Sequence, residues 1–188
     1  PRDLVAAVAG LRERIAPDTA LYAPALATPA NLALLVYLGI DLLDGIRMMA
    51  DGLLGRYHTR DGVWKASDLA ELPCRCQHCR DMSSGGVSAG RLASHNLQKL
   101  EEELLVVRAA VRSESLREYV ERQVRVAPDQ TAALRFLDQE HSYLERRAPV
   151  ARRSKFYANC SESLARVEVS RFAERILSRY TAPKSDVL

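Results

Sequence analysis

The sequence predicts an α/β arrangement over residues 1–60, a metal-binding segment over 61–112 and an all-helical region over 113–188. Three observations carry this. Helix-spaced and strand-like apolar runs alternate before residue 45, which is the signature of parallel βα units. Three of the four cysteines fall within the six residues 74–79. From residue 95 onward the apolar spacing is helical. Composition agrees: with only 6% aromatic residues, the core must rely on Leu, Val, Ala and Ile. That favours helices or α/β layers over a β sandwich.

In order along the chain, Leu4, Val5, Val8, Leu11 and Ile15 form one face of an amphipathic helix over 3–15. Ala20-Leu21-Tyr22-Ala23, bounded by Asp18 and Pro24, reads as a buried strand. Pro29-Ala30-Asn31 opens a helix over Leu32–Leu38, which Gly39 ends. Ile40-Asp41-Leu42-Leu43-Asp44 reads as a second buried strand, closing in Asp44-Gly45. The pattern weakens over 46–95, and Ser83-Ser84-Gly85-Gly86 with Ser88-Ala89-Gly90 mark a loop. A helix follows over 95–112, with Leu97, Leu100, Leu104, Val107 and Val111 on its apolar face. Further helices are predicted at 115–125, 129–145 and 162–180. In the last, Arg166, Arg171, Arg175 and Arg179 with Glu162, Glu168 and Glu174 read as a charged solvent face. Leu164, Val167, Phe172, Ile176 and Leu177 read as its apolar side.

The segment Pro73-Cys74-Arg75-Cys76-Gln77-His78-Cys79 is a poor disulfide framework and a good metal site. Zinc takes four thiolate or imidazole ligands in a tetrahedron. Cys74, Cys76 and Cys79 supply three; the alternative is a set of free thiols on a loop. The fourth ligand is His78, which two of the cysteines flank, or His95, sixteen positions after Cys79 at the start of the long helix. Either completes a closed structural site with no open position for catalysis. Cys160, far from the cluster, reads as a small buried residue.

Arg146, Arg147, Arg152, Arg153 and Lys155 place five cations in ten residues with no acid among them. Clustered guanidinium groups match phosphate oxygens, although such a run also serves as a solvated surface. Phe156 and Tyr157 follow, placed to stack on an unpaired base or to pack into the next helix. The formal net charge of +3 permits a nucleic-acid partner without requiring one. No run reaches the length of a membrane span, no signal peptide is visible, and reduced cysteines point to the cytoplasm. Pro1 at the start suits a processed chain or part of a longer one.

Leu38-Gly39-Ile40-Asp41-Leu42-Leu43-Asp44, then Leu72-Pro73-Cys74-Arg75-Cys76-Gln77-His78-Cys79, then His95-Asn96-Leu97, together resemble the C-terminal half of the tRNA-guanine transglycosylases. The archaeal branch is the more similar. The tail from Arg153-Ser154-Lys155 to Tyr180, and Tyr22-Ala23-Pro24-Ala25-Leu26-Ala27-Thr28-Pro29, resemble the archaeosine synthase paralogues of those enzymes. The resemblance implies the C-terminal part of a TIM-like barrel and selects His95 as fourth zinc ligand. It also implies that Asp44, at the end of the last barrel strand, is a nucleophile that attacks the ribose anomeric carbon. Read without the resemblance, an Asp before Gly is a turn residue. Asp41, three residues earlier, points to the other side of the strand.

The sequence departs from that family in length and in one turn. A complete barrel needs about 250 residues, and the half that carries base recognition and a second catalytic Asp is absent. Ala25-Leu26-Ala27 stands where the transglycosylases have a glycine-rich turn, as in the synthases, which modify a base already in tRNA. Two lone parallel strands leave edges open, so a second chain, a missing segment or a homo-oligomer is expected to complete the sheet. The expected function is the zinc-containing part of a tRNA 7-deazaguanine (archaeosine- or queuosine-type) modification enzyme, inactive in isolation. The alternatives are a non-catalytic tRNA-binding or scaffolding subunit, or a relative acting on 7-deazaguanine in DNA.

Overall fold

The computed structural model describes residues 1–80 and 86–181. Its first part is helix, strand, helix, strand: α1 (Arg2–Arg14), β1 (Tyr22–Ala23), α2 (Leu32–Leu38) and β2 (Leu42–Leu43). The strands pair in parallel, Tyr22 opposite Leu42 and Ala23 opposite Leu43, so the βα reading is correct in direction. Each strand is only two residues long, shorter than predicted. A ladder with no third strand has few hydrogen bonds to extend it.

α1 buries Val5, Val8, Ala9 and also Arg12. The Arg12 guanidinium donates to the carbonyls of Gly39 and Thr19, each at 2.7 Å, and pairs with Asp41. Asp41 also accepts the Leu21 N–H at 2.8 Å, so it ties α1 to the two strands. α2 ends as predicted at Gly39, whose φ of +106° is left-handed. A side chain there would also meet the Tyr143 hydroxyl at 2.6 Å.

The stretch from 46 to 80, which shows no clear period in sequence, is ordered. It contains α3 (Ile46–Leu53) and an antiparallel hairpin, β3 (Arg56–His58) with β4 (Val63–Lys65). The long helix α4 spans Ala89–Arg112, starting six residues before the predicted His95 and absorbing Ala89 and Gly90 from the predicted loop. Its early start follows from packing: Leu92 is buried, and Gly52 of α3 lies so close that a Cβ there would be 2.4 Å from the Ala93 Cα. Ser83, Ser84 and Gly85 lie outside the described residues. The apolar face of α4 is also displaced. Leu104 and Val111 are exposed, while Leu92, His95, Asn96, Glu103 and Val107 are buried.

The helical remainder comprises α5 (Leu116–Gln123), α6 (Pro128–Gln139), α7 (His141–Arg147) and α8 (Val167–Arg171). The predicted helix at 129–145 is broken at Glu140. The predicted helix at 162–180 is a 3₁₀ turn over Ser161–Ala165, then α8, then a π turn over Phe172–Leu177. Its charged face is not a solvent face. Glu162 and Arg166 are buried, whereas Leu164, Phe172, Ile176 and Leu177 are exposed. Buried acids on α5 and basic partners on both flanks draw this segment inward, because a buried ion must be paired. Cys160 is only half-buried.

The main core joins Val5, Leu35, Leu38, Val107, Val120, Leu134, Leu137 and Val167 across the α1, α2, α4, α5, α6 and α8 elements. A second, smaller cluster gathers Tyr57, Ala66, Cys79 and Leu92, with Leu69, Leu72 and Val87 packed against it. Among the described residues no helix is long and apolar enough to cross a membrane.

Candidate metal centre and strand-end carboxylate

Around the second cluster stand Cys74, Cys76, Cys79 and His95, a group that could hold a metal ion. Cys74 and Cys76 lie on the loop after the hairpin, Cys79 ends a tight turn, and His95 projects from the second turn of α4. The turn is closed by the Cys79 and Arg80 N–H groups, both donating to the Cys76 carbonyl at 3.0 Å. The ligand atoms of all four residues lie within 4.8 Å of one another. His95 Nδ1 is 3.2 Å from Cys79 Sγ and 3.4 Å from Cys76 Sγ. Tetrahedral zinc, with Zn–S about 2.3 Å and Zn–N about 2.0 Å, sets sulfur and nitrogen ligands about 3.5 Å apart, so the donor set fits.

The surroundings select the His95 tautomer. Its Nε2–H donates to the His58 carbonyl at 2.9 Å, leaving the Nδ1 lone pair for the metal. His58 is itself held: its N–H donates to Asn96 Oδ1 at 3.0 Å, and Asn96 Nδ2 donates to the Arg56 and Met48 carbonyls at 2.9 and 3.2 Å. Asn96 therefore binds α3, β3 and α4 into one frame around the histidine. Asp51 hydrogen-bonds the His58 ring at 2.8 Å and pairs with Arg56 (2.9 Å) and Arg47 (3.1 Å). His78, the other candidate ligand, stands outside the group with its Nε2 near the Gln77 amide.

The electrostatics of the thiols suit a bound cation. Burial and the neighbouring Cys76 and Cys74 sulfurs push the Cys79 thiol up to about 12, against the lowering effect of the Tyr57 hydroxyl. Cys74 moves the other way. Burial opposes its ionisation, but the Cys76 N–H, 3.4 Å away, and the Lys99 ammonium together hold it below the ordinary thiol range. A divalent ion at the centre removes the repulsion between thiolates. Sequence reasoning missed Tyr57, Asn96 and Lys99, although Asn96 and Lys99 stand beside or one turn beyond His95.

Asp44 directly follows β2 and precedes α3. Its Oδ1 accepts the Ala25 N–H at 3.0 Å and the Ile46 N–H at 3.1 Å, and its Oδ2 accepts the Tyr22 hydroxyl at 2.5 Å. The Tyr22 hydrogen bond, with smaller help from the two backbone donors, outweighs partial desolvation and holds the carboxyl below its usual range. Ala25 has a φ of +52°, the backbone that glycine adopts freely. The αL turn aims its N–H at Asp44, so the sequence Ala25-Leu26-Ala27 keeps a glycine-type conformation without glycine. On the other side, α4 reaches the same place. A Cβ on Gly45 would lie 2.4 Å from Leu97 Cδ2, two residues after the ligand His95.

The basic residues are differently engaged. Arg146 pairs with Glu13, and the Arg147 guanidinium stacks 5.4 Å over the Tyr143 ring. Arg152 is half-buried between Glu118 (2.7 Å) and Glu168 (3.3 Å). Arg153 and Lys155 are exposed, as are Phe156 and Tyr157, with Arg166 stacked 4.8 Å over the Phe156 ring.

Residues 1–129 match the family model described as queuine tRNA-ribosyltransferase. The chain is 45% identical over 185 residues to the archaeosine synthase subunit alpha of Methanosarcina acetivorans, covering 95% of this chain and 30% of that protein. It is 46% identical over 169 residues to the archaeosine synthase of Haloferax volcanii, covering 90% of this chain and 29% of that one. The tRNA-guanine(15) transglycosylase of the same organism is 34% identical over 187 residues, covering 96% and 36%. The chain thus spans about a third of the length of these relatives. With the match extending over more than half of its residues, including the strand-end carboxylate and all four members of the metal-binding group, the chain belongs to the queuine tRNA-ribosyltransferase family.

Proposed function

We propose that this chain is the zinc-containing part of a tRNA guanine-modification enzyme of the archaeosine or queuosine type, working with barrel segments it does not itself contain. The observation that carries this is the Cys74, Cys76, Cys79 and His95 group, built into a segment that matches the family and is similar to archaeosine synthases. Zinc held by these four residues fills its coordination shell and supplies folding energy and rigidity.

The chemistry belongs to the strand-end carboxylate. Asp44 is kept ionised by Tyr22, Ala25 and Ile46, as a nucleophile must be. Attack on the ribose anomeric carbon forms a carbon–oxygen ester bond as the glycosidic bond breaks, its electron pair leaving with the base. The base itself is recognised by the part of the enzyme outside this chain. The exposure of Tyr22 and Leu42 on the paired strands supports this reading, since they offer a surface for that part to cover. Arg146, Arg147, Arg153 and Lys155 contact tRNA phosphates, with Arg152 bracing the segment from inside.

The test is complementation. The isolated chain is expected to show no base-exchange activity, and co-purification with the remaining segments of an archaeal relative is expected to restore it. Asp44→Ala in that complex should abolish turnover. A second reading rests on the fact that both Asp44 oxygens already tie β1 and the loop after it to the start of α3: the chain binds tRNA without catalysis. Full turnover by the Asp44→Ala complex, with tRNA binding weakened by charge reversal at Arg153 and Lys155, would establish that reading instead. Competition by duplex DNA at equal affinity would move the substrate from tRNA to DNA.

A further inference from the structure

Tyr57 is the most deeply buried aromatic residue beside the metal-binding group, with no exposed surface. Its ring stacks on the His95 imidazole, with centroids 4.2 Å apart and planes 21° from parallel. Its hydroxyl lies 3.7 Å from Cys79 Sγ. A buried tyrosine hydroxyl takes a polar partner, and here that partner is a sulfur. A phenolic hydroxyl carries its proton at neutral pH, and a thiolate sulfur only accepts, so across this contact the hydroxyl is the donor.

The backbone fixes this placement. Tyr57 sits in the middle of β3, paired with Trp64, and the next residue is His58, whose carbonyl accepts the Nε2–H at the edge of the same histidine. One dipeptide therefore touches His95 twice, through a stacked ring and a backbone acceptor. Three thiolates around a divalent ion carry one excess negative charge. Donors arrive from two sides: the Cys76 N–H at Cys74 and the Tyr57 hydroxyl at Cys79.

We propose that Tyr57 is a positioning residue of the metal centre, donating to the Cys79 thiolate and holding the His95 ring in its ligating orientation. This rests on the zinc reading above. Outer hydrogen bonds of this kind govern metal retention and the electron density on the ligand sulfur.

The experiment compares wild type, Tyr57→Phe, Tyr57→Leu and Tyr143→Phe. Tyr143 is a control: its buried hydroxyl donates to the Leu38 carbonyl at 2.6 Å, in the other core. Zinc per chain, release to a chromophoric chelator, and the absorption of the cobalt-substituted proteins are measured. Tyr57→Phe should still hold one metal but release it about tenfold faster, and its thiolate-to-cobalt charge-transfer band should move to lower energy. Tyr57→Leu, which also loses the stacked ring, should release faster still, while Tyr143→Phe should match wild type. A wild-type release rate and an unshifted band in Tyr57→Phe would overturn the role of Tyr57 and leave the zinc reading intact. A wild-type chain that binds no zinc would overturn the zinc reading, and the proposal with it.

Discussion

The Arg166 guanidinium is buried to 1% exposure between Glu121, at 2.6 and 2.7 Å, and Glu118, at 2.9 Å. Arg117 approaches the same Glu121 at 2.9 Å and forks onto Asp138 at 2.5 and 2.9 Å. Such a network gives little net stability over an apolar core of equal volume, yet removing one member strands the others. Arg166→Met is therefore expected to lower unfolding free energy by about 3–5 kcal/mol, because Glu121 is left without one of its two cations. Denaturant titration checks this; a change below about 1 kcal/mol would mean the network tolerates an open position. Sequence spacing assigned Arg166 to a charged surface because the acids it meets stand 45 and 48 positions earlier.

α3 and α4 pack closely at Gly52 and Ala93. Gly52 permits the approach: a Cβ there would fall 2.4 and 2.5 Å from the Ala93 Cα and N, on a backbone that cannot swing aside as a side chain can. Gly52→Ala is expected to push α3 away from α4, although alanine normally favours a helix. The Asn96 hydrogen bond to the Met48 carbonyl, already 3.2 Å, should open first. A lower melting temperature together with faster metal release would confirm it, since Asn96 and His95 are neighbours. A rise in melting temperature would show that intrinsic helix propensity outweighs the clash. Neither α3 nor the hairpin was legible as an element: both are short, and β4 is exposed along its length, so no apolar period marks it.

At the level of the whole molecule the two cores differ in what sustains them. The larger one spans residues 5 to 167, and none of the four candidate ligands belongs to it. The smaller one rests on four buried residues, one of them the ligand Cys79. Metal binding at such a site is folding energy. Chelation should therefore remove hydrogen-exchange protection from β3, from the turn at 76–80 and from the first turns of α4, while α2, α5 and α6 keep theirs. Exchange unchanged by chelation would show that the small core stands by itself; global loss of protection would show that the two cores unfold as one unit.

The sequence by itself determined the cysteine group, because three thiols in six residues fit a metal better than a fold without one. It determined the parallel βα start, because the apolar pattern switches three times within 45 residues, from helix to strand to helix to strand. It also marked the Gly39 stop, because a left-handed residue after a helix favours glycine. Tertiary structure decided what no local period encodes. It brought His95 rather than His78 to the thiols, because the His58 carbonyl and the Tyr57 ring fix that imidazole. It turned the αL backbone of Ala25 toward Asp44. It drew Glu162 and Arg166 inside, because a charge is buried where distant partners meet it, and those partners are adjacent only once the chain has folded.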